Sequence, residues 1–327
     1  MKKSPALAAL LALGMTAGAS AQGAERNEVS MAEEQASLSA NRGFTPEHYP
    51  AQVVRLARIY HEHGRLRDSE ETFKKAIALY KNLPGGEERI PGVLIVWAGV
   101  LSRKPNARVQ DLGMNRQLTA RIEASEKAAF DAELVKAQDV AREGAALIVS
   151  KPELDDQDLH LLLQAVQVFE TAGNAQGKED LVSTIDDILS QMAQNEPLSA
   201  ESKIRIGENY NKLAELYCRS PYSPNLPTGR PVAIVADDVP RTGIAVKQKD
   251  YRMSEYFRLR AMEILDTLPP NHQYRIVAQR ALACWYKYYG QTREELLQTQ
   301  KLSSLLQSTD QNVLFPIRRM CTMCGRG

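Results

Sequence analysis

The chain has 327 residues carrying 41 basic and 40 acidic side chains, and aromatic residues make up only 6% of it. That balance lacks the clustered basic surplus that marks nucleic-acid binding. A chain of this length exceeds what one compact core usually organises, and its abundance of Ala, Leu, Glu, Gln, Lys and Arg over β-branched runs points to helices, arranged as two domains or as an elongated array.

The chain opens with Met1-Lys2-Lys3, runs through an apolar stretch from Ala6 to Ala17 and reaches Ala19-Ser20-Ala21. This is the pattern of a bacterial secretory signal peptide, with cleavage expected after Ala21. The apolar stretch is about a dozen residues long, short of the roughly 20 that span a bilayer. No Cys follows it to accept a lipid, and no later segment is apolar enough to span. Loss of Lys2 and Lys3 leaves 39 basic against 40 acidic residues, formally −1. The expectation is an exported protein, periplasmic or secreted, with no transmembrane segment in the mature chain and no nucleic-acid partner.

Residues 22–45 are polar and small and read as a flexible linker. From Tyr49 the apolar period becomes helical: Val53, Leu56, Ala57 and Tyr60, then Phe73, Ala76, Ile77 and Tyr80, with a break at Gly64. This predicts a helix hairpin over residues 50–83, closed by Pro84-Gly85-Gly86. Val93 to Leu101 reads as an apolar helix and residues 115–149 as one or two amphipathic helices. Leu159 to Ala172 and Lys178 to Met192 form a further hairpin around Gly173-Asn174. Further helices are expected over Ile204–Cys218, Tyr251–Leu268, Tyr274–Tyr289 and Arg293–Leu306. Between them, residues 219–249 hold Pro221, Pro224, Pro227, Pro231 and Pro240 and two β-like runs, Val232–Val235 and Ile244–Val246. That segment reads as a long loop with a small hairpin at its tip.

A signature recurs along the chain: Leu56-Ala57-x-x-Tyr60-x-x-x-Gly64, Leu213-Ala214-x-x-Tyr217 and Leu282-Ala283-x-x-Tyr286-x-x-x-Gly290. A large and a small apolar residue side by side let the partner helix approach at the small one. Tyr fills the space a turn later, and Gly permits the sharp turn. Here the chain resembles the tetratricopeptide repeat family. In the first unit Ser69, Phe73 and Ala76 supply the small, large and small positions of the second helix. Later units depart from the pattern: Ser254, Phe257 and Ala261 are one residue out of spacing, Glu295, Thr299 and Leu302 replace the set, and the hairpin at 159–192 keeps only Phe169 and Gly173.

The resemblance implies an all-α, right-handed superhelical solenoid of antiparallel helix hairpins, with repeat regions at 46–200 and 201–310. It further implies a non-catalytic scaffold that binds another protein or peptide segment in a concave groove lined by the first helices. By position, the groove would present Val54, Arg58, His61 and Glu62, then Glu208, Asn211, Glu215 and Cys218, then Val277, Arg280, Cys284, Lys287 and Tyr288. The Lys and Asn clamp that some relatives use for a terminal carboxylate is replaced by Val54 and Arg58, so that ligand is not expected.

No cofactor or metal is expected. His61 and His63 lie two residues apart and point to different sides of a helix. The acidic pairs Asp155-Asp156, Asp186-Asp187 and Asp237-Asp238 suit helix starts and loops. The tail at 311–327 carries Cys321-x-x-Cys324, which suits a disulfide in an oxidising compartment. One such pair falls short of a four-ligand zinc site, and with Cys218 and Cys284 it leaves three connectivities open. The alternative function is therefore a thiol-redox or metal-dependent activity at Cys321 and Cys324. A third reading is an envelope-assembly subunit packed along its length, with no free groove.

Overall fold

The computed structural model describes residues 28–39, 48–103, 116–194, 197–218, 233–238 and 246–307. The expected signal peptide and the Cys321–Cys324 tail lie outside these residues. The described chain is all-α apart from one two-stranded sheet. It divides into two compact units, one ending at Lys178 and one beginning at Glu179. No helix among the described residues is long and apolar enough to cross a membrane.

The first unit begins with helix α1, residues 28–39, inside the stretch read from sequence as a linker. It buries only Ala32, Ala36 and Ser39, too few and too small to register as an apolar period. What ties it down is distant in sequence: Tyr60 Oη donates to Glu33 Oε1 at 2.7 Å. Helices α2 (His48–Glu62) and α3 (Leu66–Lys81) form the expected first hairpin. Its close approach occurs where the small residues meet. Ala57 is 0% exposed, and Ser69 Oγ donates to the Ala57 carbonyl at 2.7 Å.

A one-turn 3-10 helix (Gly86–Arg89) leads into α4 (Ile90–Leu101), which packs on α5 (Arg116–Val149), a single helix of 34 residues. The two approach closely because α5 carries Gly144. A Cβ there would lie 2.8 Å from Ile95 Cδ1. Phe73 of α3 stacks on Trp97 of α4, with ring centroids 5.6 Å apart. Helix α6 (Asp156–Thr171) starts at a reciprocal capping box: the Asp158 backbone N–H donates to Asp155 Oδ1 at 2.8 Å, and Asp155 N–H returns to Asp158 Oδ2 at 3.3 Å. The Asp155-Asp156 pair is thus a helix start. Packing of α6 on both α4 and α5 makes two layers, α2, α4 and α6 on one side and α3 and α5 on the other. An ion pair between Lys136 of α5 and Glu70 of α3 links neighbours in the second layer. This is a stack of hairpins, as an all-α solenoid requires.

Three turns close in the same way. Gly64 has φ 73°, its N–H bonds the His61 carbonyl, and Arg65 N–H reaches back to the Tyr60 carbonyl at 2.8 Å. Gln291 N–H to Tyr286 repeats the arrangement around Gly290, and Asn174 N–H to Phe169 repeats it around Gly173. The aromatic and the glycine of the repeat signature are therefore the two ends of one helix-capping motif.

In the second unit α7 (Ala175–Gln194, its first turn belonging to the first unit), α8 (Ala200–Tyr217) and α9 (Gln248–Leu265) are joined through Ser190. Its hydroxyl lies 3.0 Å from Tyr210 Oη and accepts from Arg260 Nη2 at 3.1 Å. Helices α8 and α9 approach at Gly207, where a Cβ would meet Leu265 Cγ at 2.7 Å. Helices α10 (Gln273–Tyr288) and α11 (Thr292–Gln307) complete the stack.

Strands β1 (Ile234–Val235) and β2 (Val246–Lys247) pair in parallel. The hairpin expected at the loop tip is thus corrected, because parallel strands need the chain to cross back between them. The sheet seats the start of α9. Asp237 Oδ1 accepts from Lys249 N–H at 2.7 Å, and the Asp237 carbonyl accepts from Lys247 Nζ at 2.6 Å.

Candidate groove on the first-helix face

Helices α2, α4 and α6 of the first unit enclose a cavity of about 480 Å³. Its floor is apolar because α4 has almost no polar face. Ile95, Val96, Gly99 and Val100 line it, with Val168 of α6. The rim is polar: Arg58 of α2, Ser102 and Arg103 after α4, and Gln164, Gln167 and Thr171 of α6. Ser102 Oγ donates to the Gly99 carbonyl at 2.9 Å and Thr171 Oγ1 to the Gln167 carbonyl at 2.8 Å, which commits both hydroxyl protons and leaves the oxygens' lone pairs to accept. No carboxylate lines this cavity among the described residues, and its two charged side chains are both arginines. Such a surface can hold an extended segment through apolar contact along the floor and hydrogen bonds along the rim.

Of the groove residues expected in the first unit, Arg58 lines the cavity. His61 does not: it is 4% exposed and outside the cavity lining. Burial holds its imidazole below the usual histidine range, opposed by Glu62 and reinforced by the charge of Arg103. Glu62 is exposed but sits outside the cavity lining. The residues the sequence reading missed are those of α4 and α6, since α4 carries none of the repeat signature and α6 keeps only Phe169 of it. His63 lies 3.4 Å from Glu28, so the two imidazoles of His61-Glu62-His63 have different surroundings. No group of three or more potential metal ligands occurs among the described residues.

The remaining expected positions lie on α8 and α10 of the second unit. Glu215 and Lys287 are exposed, and Asn211, Arg280 and Tyr288 are half-buried. Cys218 is buried at the end of α8, Cys284 is half-buried on α10, and no disulfide joins them. The repeat-core positions Ala57, Tyr60, Phe73, Ala76, Leu213, Ala214, Tyr217, Leu282, Ala283 and Tyr286 are all buried, while Leu56 is half-buried.

An aromatic cluster joins α9 to α10. Tyr251 stacks on Trp285 at 4.8 Å, and Tyr289 lies 5.0 Å from the same indole. Burial pushes the phenols of Tyr251, Tyr286 and Tyr289 far above the usual tyrosine range. Arg258 lies over this cluster, its Cζ 5.3 Å from the Trp285 ring centroid.

No protein-family model and no curated protein sequence matches the chain. Among solved structures it is similar to BtubC (BKLC) from P. vanneervenii, at 13% identity over 87% of this chain and 92% of that one, with a TM-score of 0.42. It is also similar to the TPR-like repeats of a Podosopora anserina kinesin light chain protein, at 12% identity over 80% of this chain and 96% of that one, with a TM-score of 0.37.

Proposed function

We propose that the protein is an exported interaction scaffold that holds a segment of a partner protein in the groove of its first unit. The observation that carries this reading is the cavity between α2, α4 and α6, with its apolar floor and its rim bearing Arg58 and Arg103. Stacked hairpins build such a face without any one hairpin closing its own core. The two arginines favour a segment with acidic side chains, because like charges are excluded and opposite charges steered. Export rests on the Met1–Ala21 signal pattern.

The test is affinity capture from the native envelope fraction with the wild-type protein and with Arg58→Glu/Arg103→Glu. The reading expects a specific partner that the double variant loses while helical circular dichroism stays unchanged. Equal capture by both proteins removes the groove from the account.

A further inference from the structure

The first hairpin sets a small-large-small spacing with Ser69, Phe73 and Ala76, all buried. The same spacing on α9 falls on Ser254, Arg258 and Ala261, also buried. An arginine therefore occupies the place where a phenylalanine fills the core one hairpin type earlier. Arg258 is 5% exposed, and its Nε and Nη2 have no hydrogen-bond partner among the described residues. Among the described residues, single atoms of other buried side chains in this unit, Asn209 Oδ1, Ser254 Oγ and Arg260 Nε among them, also lack a partner, but Arg258 alone leaves two unmatched; Gln279, by contrast, donates from Nε2 to Gln298 Oε1 at 2.7 Å. The indole beneath Arg258 offsets part of the cost of burying the charge, but a ring face accepts none of its in-plane donors.

Nε and Nη2 are the two parallel donors on one edge of the guanidinium, the edge that takes a carboxylate in a two-pronged pair. The neighbouring unpartnered atoms are of matching kind. Trp285 Nε1 is a buried donor, and the Tyr288 hydroxyl, on a ring packed against the same cluster, has no partner among the described residues either. What is missing is an acceptor with several lone pairs. Glu215 is the carboxylate nearest in electrostatic terms, but its side chain is exposed and makes no hydrogen bond to Arg258.

We propose that Arg258, with Trp285 and Tyr288, forms a subsite that receives a carboxylate from outside the chain, held edge-on by Nε and Nη2. The subsite belongs to the second unit and stands whether or not the groove of the first unit holds a partner. Leu or Phe at position 258 would fill the core without a buried charge; arginine there suits recognition of an acid better than packing.

The chain has two tryptophans, so Trp97→Phe leaves Trp285 as the sole indole reporter in the full-length protein. The experiment titrates that protein with sodium acetate against sodium chloride at equal ionic strength and follows Trp285 emission. The expected result is a saturable response to acetate, weakened at least tenfold by Arg258→Leu, which melts no lower than its parent. Arg258→Lys keeps the charge, loses the edge-on pair, and is expected to weaken acetate as well. A blocked pentapeptide with one central Glu separates the sources: tighter binding than acetate assigns a partner side chain, equal or weaker binding a free small acid. Three results overturn the proposal. They are an unsaturable response, saturation that survives both Arg258 variants, and acetate binding seen only after Glu215→Gln, which makes Glu215 the internal occupant. Saturation by inorganic phosphate without any by acetate overturns the assignment to carboxylates.

Discussion

Replacing Ala57 by Leu attacks the first hairpin where its helices come closest. Ala57 is wholly enclosed, and the Ser69 hydroxyl sits 2.7 Å from its carbonyl oxygen, leaving no room on α3 for a longer neighbour. Overpacking of this kind costs about 1–3 kcal/mol. Forcing Ser69 off its acceptor while its side chain stays buried adds about 1 kcal/mol. A total near 3 kcal/mol lowers the melting temperature by about 6–12 °C in a unit of this size. Ala51→Leu is the control, because Ala51 lies exposed on the same helix, where the same substitution stays within about 0.5 kcal/mol. In a Trp285→Phe background, urea and thermal unfolding followed at Trp97 report on the first unit, since Trp97 stacks on Phe73. Equal stability of the Ala57 and Ala51 variants would refute the claim that the small residue permits the approach.

Three further outcomes are expected. Gly207→Ala places a methyl 2.7 Å from Leu265 Cγ and destabilises the second unit by about 1–3 kcal/mol; unchanged urea unfolding at Trp285 contradicts the packing of α8 on α9. Tyr60→Phe removes the bond to Glu33, so amide exchange over residues 28–39 quickens while that over 66–81 does not; equal protection shows that α1 is held by something else. His61 has a depressed folded-state pKa through burial, so its stabilising contribution is present above the unfolded value near 6.5 and fades as pH falls below it. Urea titrations from pH 8 to pH 5 should show a smaller loss in His61→Gln than in the wild type, and identical profiles would be incompatible with a buried neutral imidazole.

The first hairpin was legible because its apolar period, its glycine and its small-large-small set all agree. Helices α4 and α5 belong to the same stack but carry no signature. Covered by α3, α5 and α6, α4 buries Ile90, Val93, Leu94, Ile95, Trp97, Ala98, Val100 and Leu101 on nearly every side, and that erases the period. Gly144 allows the approach of α5 by having no side chain, and a search for Ala or Ser passes over it. On α9 the large apolar residue is Phe257, one place out of register, whereas Arg258 keeps the spacing. The groove was only part-legible for the same reason. Arg58 sits on the one helix of the first unit with a full signature, while the floor comes from α4 and the far rim from α6. His61 shows the limit of carrying a groove position over by spacing, since it is buried and does not line the cavity.

Photo-crosslinking inside cells tests the groove most directly. A benzophenone amino acid at Gln167, exposed on the groove rim, is compared with one at Ala78, exposed on α3 outside the cavity lining. The account predicts a discrete crosslinked partner from position 167 that Arg58→Glu/Arg103→Glu abolishes, and none from position 78. Crosslinks of the same partner from both positions, or from 78 alone, would contradict it.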